Sequence, residues 1–317
     1  MTDKPLKEIY TTSLHPGLQF LIFCFLTIGA IFIGSIIGIA IAMASFGTDI
    51  MGDIAQLNVS SHNALNALWI IQLTGTTLPL LIAPTFFAYV IVRDPDDYLK
   101  TTFHFPWVMI LIVLATMLLS SPLIELLSNI NQKMVLPPAL KGLEDWMKDS
   151  ENTAQKLSDA MLQMKTIKNL LFDLLFIGLL TAIVEEFMFR GVLQTIFVKW
   201  TKNYHVAIWV TAILFSAFHM EFYGFLPRLL LGALFGYFVA WSGSVWTSVW
   251  AHFVNNGTAV IITYLFQHKM ISTNPDDQNV FNSAGYVISL IITLFLLFVY
   301  QYVSKKYSVA IDGEELD

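Results

Sequence analysis

The sequence predicts an all-α fold, a polytopic transmembrane bundle of about eight helices, and three observations carry that expectation. Hydrophobic residues fill 56% of the 317 positions and charged residues only 13%, about half the charged share of a soluble domain. The mean hydropathy is +0.65. Aromatic residues reach 14%, with 25 Phe and 8 Trp, which suits a surface that meets lipid and ends at the headgroups. The apolar residues also gather into runs of about 20, the length that crosses a bilayer core as a helix.

Those runs fall at 17–45, 64–92, 106–129, 169–198, 204–219, 226–241, 245–267 and 283–303, the fifth and sixth being short. The first exceeds the ~7–15 residue core of a secretory signal, so it reads as a retained span. Between the third and fourth runs the segment 130–168 is polar. Leu157, Met161 and Met164 stand there at helical spacing, which predicts an amphipathic helix leading into the fourth span, a connecting helix rather than a binding lid. By chain order the sequence divides into N-terminal helices with this segment (1–168), a membrane core (169–268), and a last helix with a tail (269–317).

Lysine and arginine set the expected orientation. Lys4, Lys7, Arg93, Lys100, Lys199, Lys202, Lys305 and Lys306 collect on one side, whereas the other side's short connections hold only Arg228 and Lys269. Retention of positive charge inside then places both termini in the cytoplasm. The net charge of −6 comes largely from acids such as Glu314, Glu315 and Asp317, and without a basic patch the sequence offers nothing to nucleic acid. A single cysteine, Cys24, excludes a disulfide framework or a cysteine metal site within one chain.

A charged side chain at bilayer depth costs about 2.5–3.5 kcal/mol on insertion scales, so it calls for a partner, a wet cavity or a function. The fourth run contains Val184-Glu185-Glu186-Phe187-Met188-Phe189-Arg190-Gly191. Glu186 and Arg190, four apart, share a helix face and can pair. Glu185 points about 100° away, toward another neighbour. The fifth run ends in Phe215-Ser216-Ala217-Phe218-His219, and the seventh holds His252-Phe253-Val254-Asn255-Asn256. His252 and Asn256 share a face. Glu185, His219, His252 and Asn256 are therefore expected around one polar cavity, where a glutamate could deprotonate water and N–H groups could hold an oxyanion. The same groups could instead bind a divalent metal through Glu185, His219 and His252. Counted at about 1.5 Å per residue from the expected cytoplasmic ends, Glu185 lies roughly 20 Å deep, His219 about 24 Å and His252 about 12 Å. Tilt, or a re-entrant start to the seventh span near Ser242-Gly243-Ser244, would close that difference.

In the order E-E-x-x-x-R, F-x-x-x-H and H-x-x-x-N, these residues resemble the CPBP family of membrane proteases. That family includes the type II CAAX prenyl endopeptidases and bacterial bacteriocin-processing and immunity proteins. The similarity also takes in Phe189-Arg190-Gly191 and the run Leu231-Gly232-Ala233-Leu234-Phe235-Gly236-Tyr237. It covers roughly residues 170–265. The resemblance implies an intramembrane endopeptidase with Glu185 as general base and His219 positioning the water. His252 and Asn256 become the oxyanion site, with Glu186, Arg190 and Phe215 in support. It implies a peptide or membrane-protein substrate and a lipid bilayer as surroundings. It does not fix a metal; HExxH is absent, and zinc stays an open alternative. A prenylated substrate does not follow, and the chain's own end, Glu314-Glu315-Leu316-Asp317, is no prenylation signal. Two other functions remain open: a proton- or ion-coupled transporter, which intramembrane Glu, His and Arg would also serve, and a non-catalytic immunity or scaffold protein.

Overall fold

The computed structural model describes residues 14–55, 62–272, 274 and 280–311. Lys4, Lys7 and the acidic positions Glu314, Glu315 and Asp317 lie outside the described residues. Helices α1 (Pro16–Phe46), α2 (Asn63–Ile91), α3 (Val108–Leu119) and α4 (Ser121–Gln132) come first. They are followed by α5 (Lys141–Met161), α6 (Ile167–Thr201), α7 (Tyr204–Phe218), α8 (Phe225–Ser242), α9 (Val245–Gln267) and α10 (Ser283–Ile311). No strand occurs among the described residues.

All eight apolar runs are helical, but they do not all have the character of a span. Five described helices are long and apolar enough to cross a membrane, or six when α3 and α4, bent by 42°, count as one. Helix α7 has 15 residues, about 22 Å at 1.5 Å per residue, less than the hydrocarbon thickness of about 30 Å. Helix α9 has the length but carries Thr247, Ser248, His252, Asn255 and Asn256 along its course. The helices with the histidine motifs thus fall short of a span for different reasons, α7 by its length and α9 by its polar residues.

The amphipathic segment forms as α5, but it does not lead into the fourth span. Thr166 caps α6 by accepting from the Asn169 backbone while the Asn169 side chain answers the Thr166 backbone, which starts a new helix. Met164, expected on the amphipathic face, is instead buried between the helices. Its N–H donates to Gln267 Oε1 at 2.9 Å, and Gln267 Nε2 donates to the Leu162 carbonyl at 2.9 Å.

The described residues form two compact units. The first contains the chain up to Thr102 together with Ile183–Ala207; the second contains Phe103–Ala182 and the chain from Ile208 onward. In the first, Phe87 packs edge-on between Phe23 (5.2 Å) and Tyr98 (5.8 Å). In the second, α10 is tied down by polar bonds: Ser289 Oγ donates to the Leu119 carbonyl (2.6 Å), Tyr286 to Glu125 (2.7 Å) and Tyr300 to the Phe238 carbonyl (3.1 Å). Such bonds matter between membrane helices, where apolar faces gain little by leaving lipid.

Helix α6 is not uniform. Leu174–Leu180 and Phe187–Leu193 are π-helical, and Thr181–Glu186 between them is α-helical. π-helical insertions alter which carbonyls are satisfied within the helix and often occur at functional positions.

Candidate functional site

Each unit holds one group of the motif residues. In the first, Glu186 and Arg190 are both fully buried, and Arg190 Nη1 donates to Glu186 Oε1 at 2.9 Å. The contact forms even though Phe187–Leu193 departs from 3.6 residues per turn. Glu185, the preceding residue, is buried as well, at 8% exposure. Charge-assisted hydrogen bonding fixes one partner of Glu186.

Gly191 lets this segment approach the short helix Pro95–Leu99, because an added Cβ would lie 2.8 Å from the Tyr98 carbonyl oxygen. That short helix carries a cluster of its own. Lys199 Nζ lies 2.8 Å from Asp97 Oδ2 and 4.1 Å from the centre of the Tyr98 ring, while the Tyr98 hydroxyl donates to Gln19 Oε1. Lys100, held at φ +50°, donates to Thr195 Oγ1. Partial burial raises the Asp97 carboxyl, but the Lys199 hydrogen bond and the charges of Lys100 and Lys199 outweigh it and hold the group below its ordinary value. Burial lowers the Lys100 ammonium, against the attraction of Asp97.

In the second unit, one phenylalanine gathers both histidines. The Phe215 ring centre is 4.9 Å from that of His219 and 5.8 Å from that of His252, and Phe235 stacks on His252 at 5.0 Å. Gly232 permits the close packing of α8 on α7 that seats Phe215, since a Cβ there would meet Ala212 Cβ at 3.0 Å and Phe215 Cδ1 at 3.3 Å. His219 Nδ1 lies 2.8 Å from the Phe215 carbonyl oxygen. A carbonyl only accepts, so Nδ1 carries the proton and Nε2 holds the lone pair of the neutral ring.

Asn256 is oriented from both ends. Its Oδ1 accepts from Asn255 Nδ2 at 3.1 Å, and its Nδ2 donates to the Ile177 carbonyl in the π-helical part of α6 at 3.3 Å. An amide NH2 has two donors, so one N–H remains for a ligand. The turn after His219 is also held firmly. Met220 takes φ +55°, rare for a residue other than glycine, and Asn131 grips the segment beyond it by donating to the Phe222 carbonyl (2.9 Å) and accepting from Leu226 N–H (2.6 Å). Helix α5 adds Glu151, which accepts from Tyr223 N–H at 3.0 Å, and Trp146, 5.5 Å from the Phe222 ring. Glu221 pairs with Arg228.

The first unit therefore holds Glu185, Glu186 and Arg190, and the second holds Phe215, His219 and His252 in ring contact, with Asn256 one turn beyond His252 on α9. Asn131, Asn255 and the buried Asp173 were given no role in the sequence reading. Asp173 had a visible signal, an acid within the fourth apolar run, and its Oδ2 is buried with no hydrogen-bond partner among the described residues. Among the described residues no three histidine, cysteine, aspartate or glutamate side chains form a group that could hold a metal ion.

Residues 167–258 match the family model of type II CAAX prenyl endopeptidase Rce1-like proteins, so this segment is similar to that family. All the motif residues, from Glu185 to Asn256, lie inside it. YpbD, an uncharacterized protein of Bacillus subtilis strain 168, is 31% identical over 85 residues, a stretch that spans 26% of this chain and 40% of that relative's length. No solved structure matches the chain. The apolar helices and the family match support an integral, multi-pass membrane protein.

Proposed function

We propose that the protein is an intramembrane endopeptidase that hydrolyses a peptide bond with a water activated by Glu185. Glu185 takes the water proton as the hydroxide adds to the substrate carbonyl, and it returns that proton to the amine that leaves. His219 orients the water through Nε2. His252 and Asn256 donate to the oxyanion, for which the second Asn256 N–H is suited by its fixed amide. Glu186 and Arg190 hold the helix in register. In this reading both termini are cytoplasmic.

One observation supports the division of roles: Arg190 donates to Glu186 at 2.9 Å in a fully buried pair, which suits Glu186 to holding the helix. The motif residues' location in the Rce1-like segment supports the same chemistry. The experiment is comparative proteomics of membrane and secreted peptides from cells that carry the wild type or Glu185→Gln. Peptides with new termini that appear only with the wild type are the expected result. Identical peptide profiles, accompanied by pH-driven flux in liposomes containing the purified wild type, would replace the endopeptidase with a transporter.

A further inference from the structure

Helix α8 begins without a cap of its own. The residue that flanks it is Gly224, which has no side chain to accept from the first turn, and Pro227 within that turn has no N–H to offer. The Leu226 N–H is answered instead by Asn131 Oδ1 at 2.6 Å, from the last turn of α4. Asn131 is buried, and its Nδ2 donates to the Phe222 carbonyl at 2.9 Å. One amide therefore holds both ends of the stretch 222–226.

The first of these bonds continues toward His219. Leu226 N–H and the Phe225 carbonyl belong to one rigid peptide plane, and that carbonyl accepts from Ser216 Oγ at 2.7 Å. The plane is thus held on one edge by α4 and on the other by the last turn of α7. Ser216 is buried, and the His219 N–H donates to its carbonyl at 3.4 Å. Two hydrogen bonds and one peptide plane consequently link Asn131 to the residue on which the His219 turn closes. The next residue, Met220, has φ +55°, a conformation that persists only where the surroundings hold it. Among these surroundings, Asn131 lies outside the segment 167–258.

We propose that Asn131 is a positioning residue for His219: through the Phe225–Leu226 peptide and Ser216, it fixes where His219 Nε2 meets the attacking water. The assignment rests on the endopeptidase reading and extends its working parts to α4. Asn131 touches no reacting atom. A misplacement of about 1 Å can cost about 10²-fold in rate, and because His219 orients the water rather than the substrate, the loss falls on kcat and leaves KM.

The test uses the full chain, purified in detergent, and a library of fluorescence-quenched peptides from which one peptide cleaved by the wild type is chosen; Glu185→Gln is the blank. Asn131→Ala and Ser216→Ala should each lower kcat at least tenfold with KM within twofold. Asn131→Asp, which keeps the acceptor for Leu226 N–H, should return kcat to within threefold of the wild type. The double variant Asn131→Ala/Ser216→Ala should be no slower than the slower single one, since both cut the same chain. Ser289→Ala removes a hydrogen bond of α10 instead and should keep the wild-type kcat, which separates positioning from a general loss of stability. If Asn131→Ala does not fold, Ser216→Ala and Asn131→Asp carry the comparison. Wild-type kcat in folded Asn131→Ala or Ser216→Ala, or an equal loss in Ser289→Ala, would overturn the positioning role while the endopeptidase stands. If Glu185→Gln cleaves as fast as the wild type, or the wild type cleaves no peptide, both fall.

Discussion

The two groups of motif residues are held by opposite physical means. In the first unit, Glu186 and Arg190 are held by charge, both at 0% exposure and in contact at 2.9 Å. In the second, His219, His252 and Asn256 are held by rings and neutral hydrogen bonds: Phe215 between the imidazoles, Phe235 on His252, and Asn255 and Ile177 on the Asn256 amide. A buried ion pair cannot lose one member cheaply, because the other remains as an unbalanced charge. A neutral network loses its bonds one at a time, each worth about 0.5–1.5 kcal/mol net. The charged half should therefore respond to substitution as a unit of stability, and the neutral half as a set of adjustable positions.

The largest expected effect follows from the charged half. Glu186→Gln leaves Arg190 without its carboxylate, and breaking such a buried pair typically costs about 3–5 kcal/mol. A melting curve in detergent should show a clear fall in Tm; an unchanged Tm would mean that the pair contributes no net stability. Gly191→Ala should come next, because its new Cβ would stand 2.8 Å from the Tyr98 carbonyl oxygen, and overpacking of this kind costs about 1–3 kcal/mol. If thermal unfolding of Gly191→Ala matched the wild type, the approach of the Pro95–Leu99 helix would not be tight.

In the neutral half, Asn131→Ala removes both bonds to the turn beyond His219 and leaves Phe222 C=O and Leu226 N–H without those partners, at a cost of about 1–3 kcal/mol. Asn131→Asp keeps an acceptor for Leu226 and should retain part of the loss. Urea or thermal unfolding of the two variants separates them, and equal effects would show that the Leu226 bond adds nothing.

How far these contrasts were legible in the sequence depends on the distance over which each contact acts. The Glu186–Arg190 pair was legible because four residues along a helix bring side chains to one face, and it survives the π-helical turn that no local sequence signal announced. The apolar runs gave the helices, since length and composition suffice for that. The end of α5 at Met161 was not legible, because Thr166 and Asn169 cap α6 without the usual Glu or Gln. Asn131 was hidden because its partners lie 91 and 95 residues away. Asn255 was hidden for a different reason: adjacent helical residues do not face each other by spacing alone, and the amide reaches its neighbour by its own rotamer. In the site, the motif residues could be read from sequence; the groups that aim them could not.

The smallest effect concerns the half-exposed ion pair of Asp97 and Lys199, 2.8 Å apart. Exposed pairs contribute about 0.2–1 kcal/mol after solvent screening. Because the folded Asp97 carboxyl is held below its ordinary value, its contribution is present above the unfolded-state pKa and is lost as the pH falls through the folded one. Asp97→Asn should therefore lower Tm slightly at neutral pH, and the difference from the wild type should vanish in acid. A difference that persists below the folded pKa would assign the effect to something other than this charge.

The most direct measurement places the two adjacent glutamates side by side: peptide cleavage and a melting curve for Glu185→Gln and Glu186→Gln, each purified in detergent beside the wild type. Glu185→Gln keeps the size of the side chain and removes the base, so turnover should disappear while Tm stays near that of the wild type. Glu186→Gln should lose stability as well as activity. Near-normal cleavage by Glu185→Gln, together with a stably folded but inactive Glu186→Gln, would contradict the account and exchange the two roles.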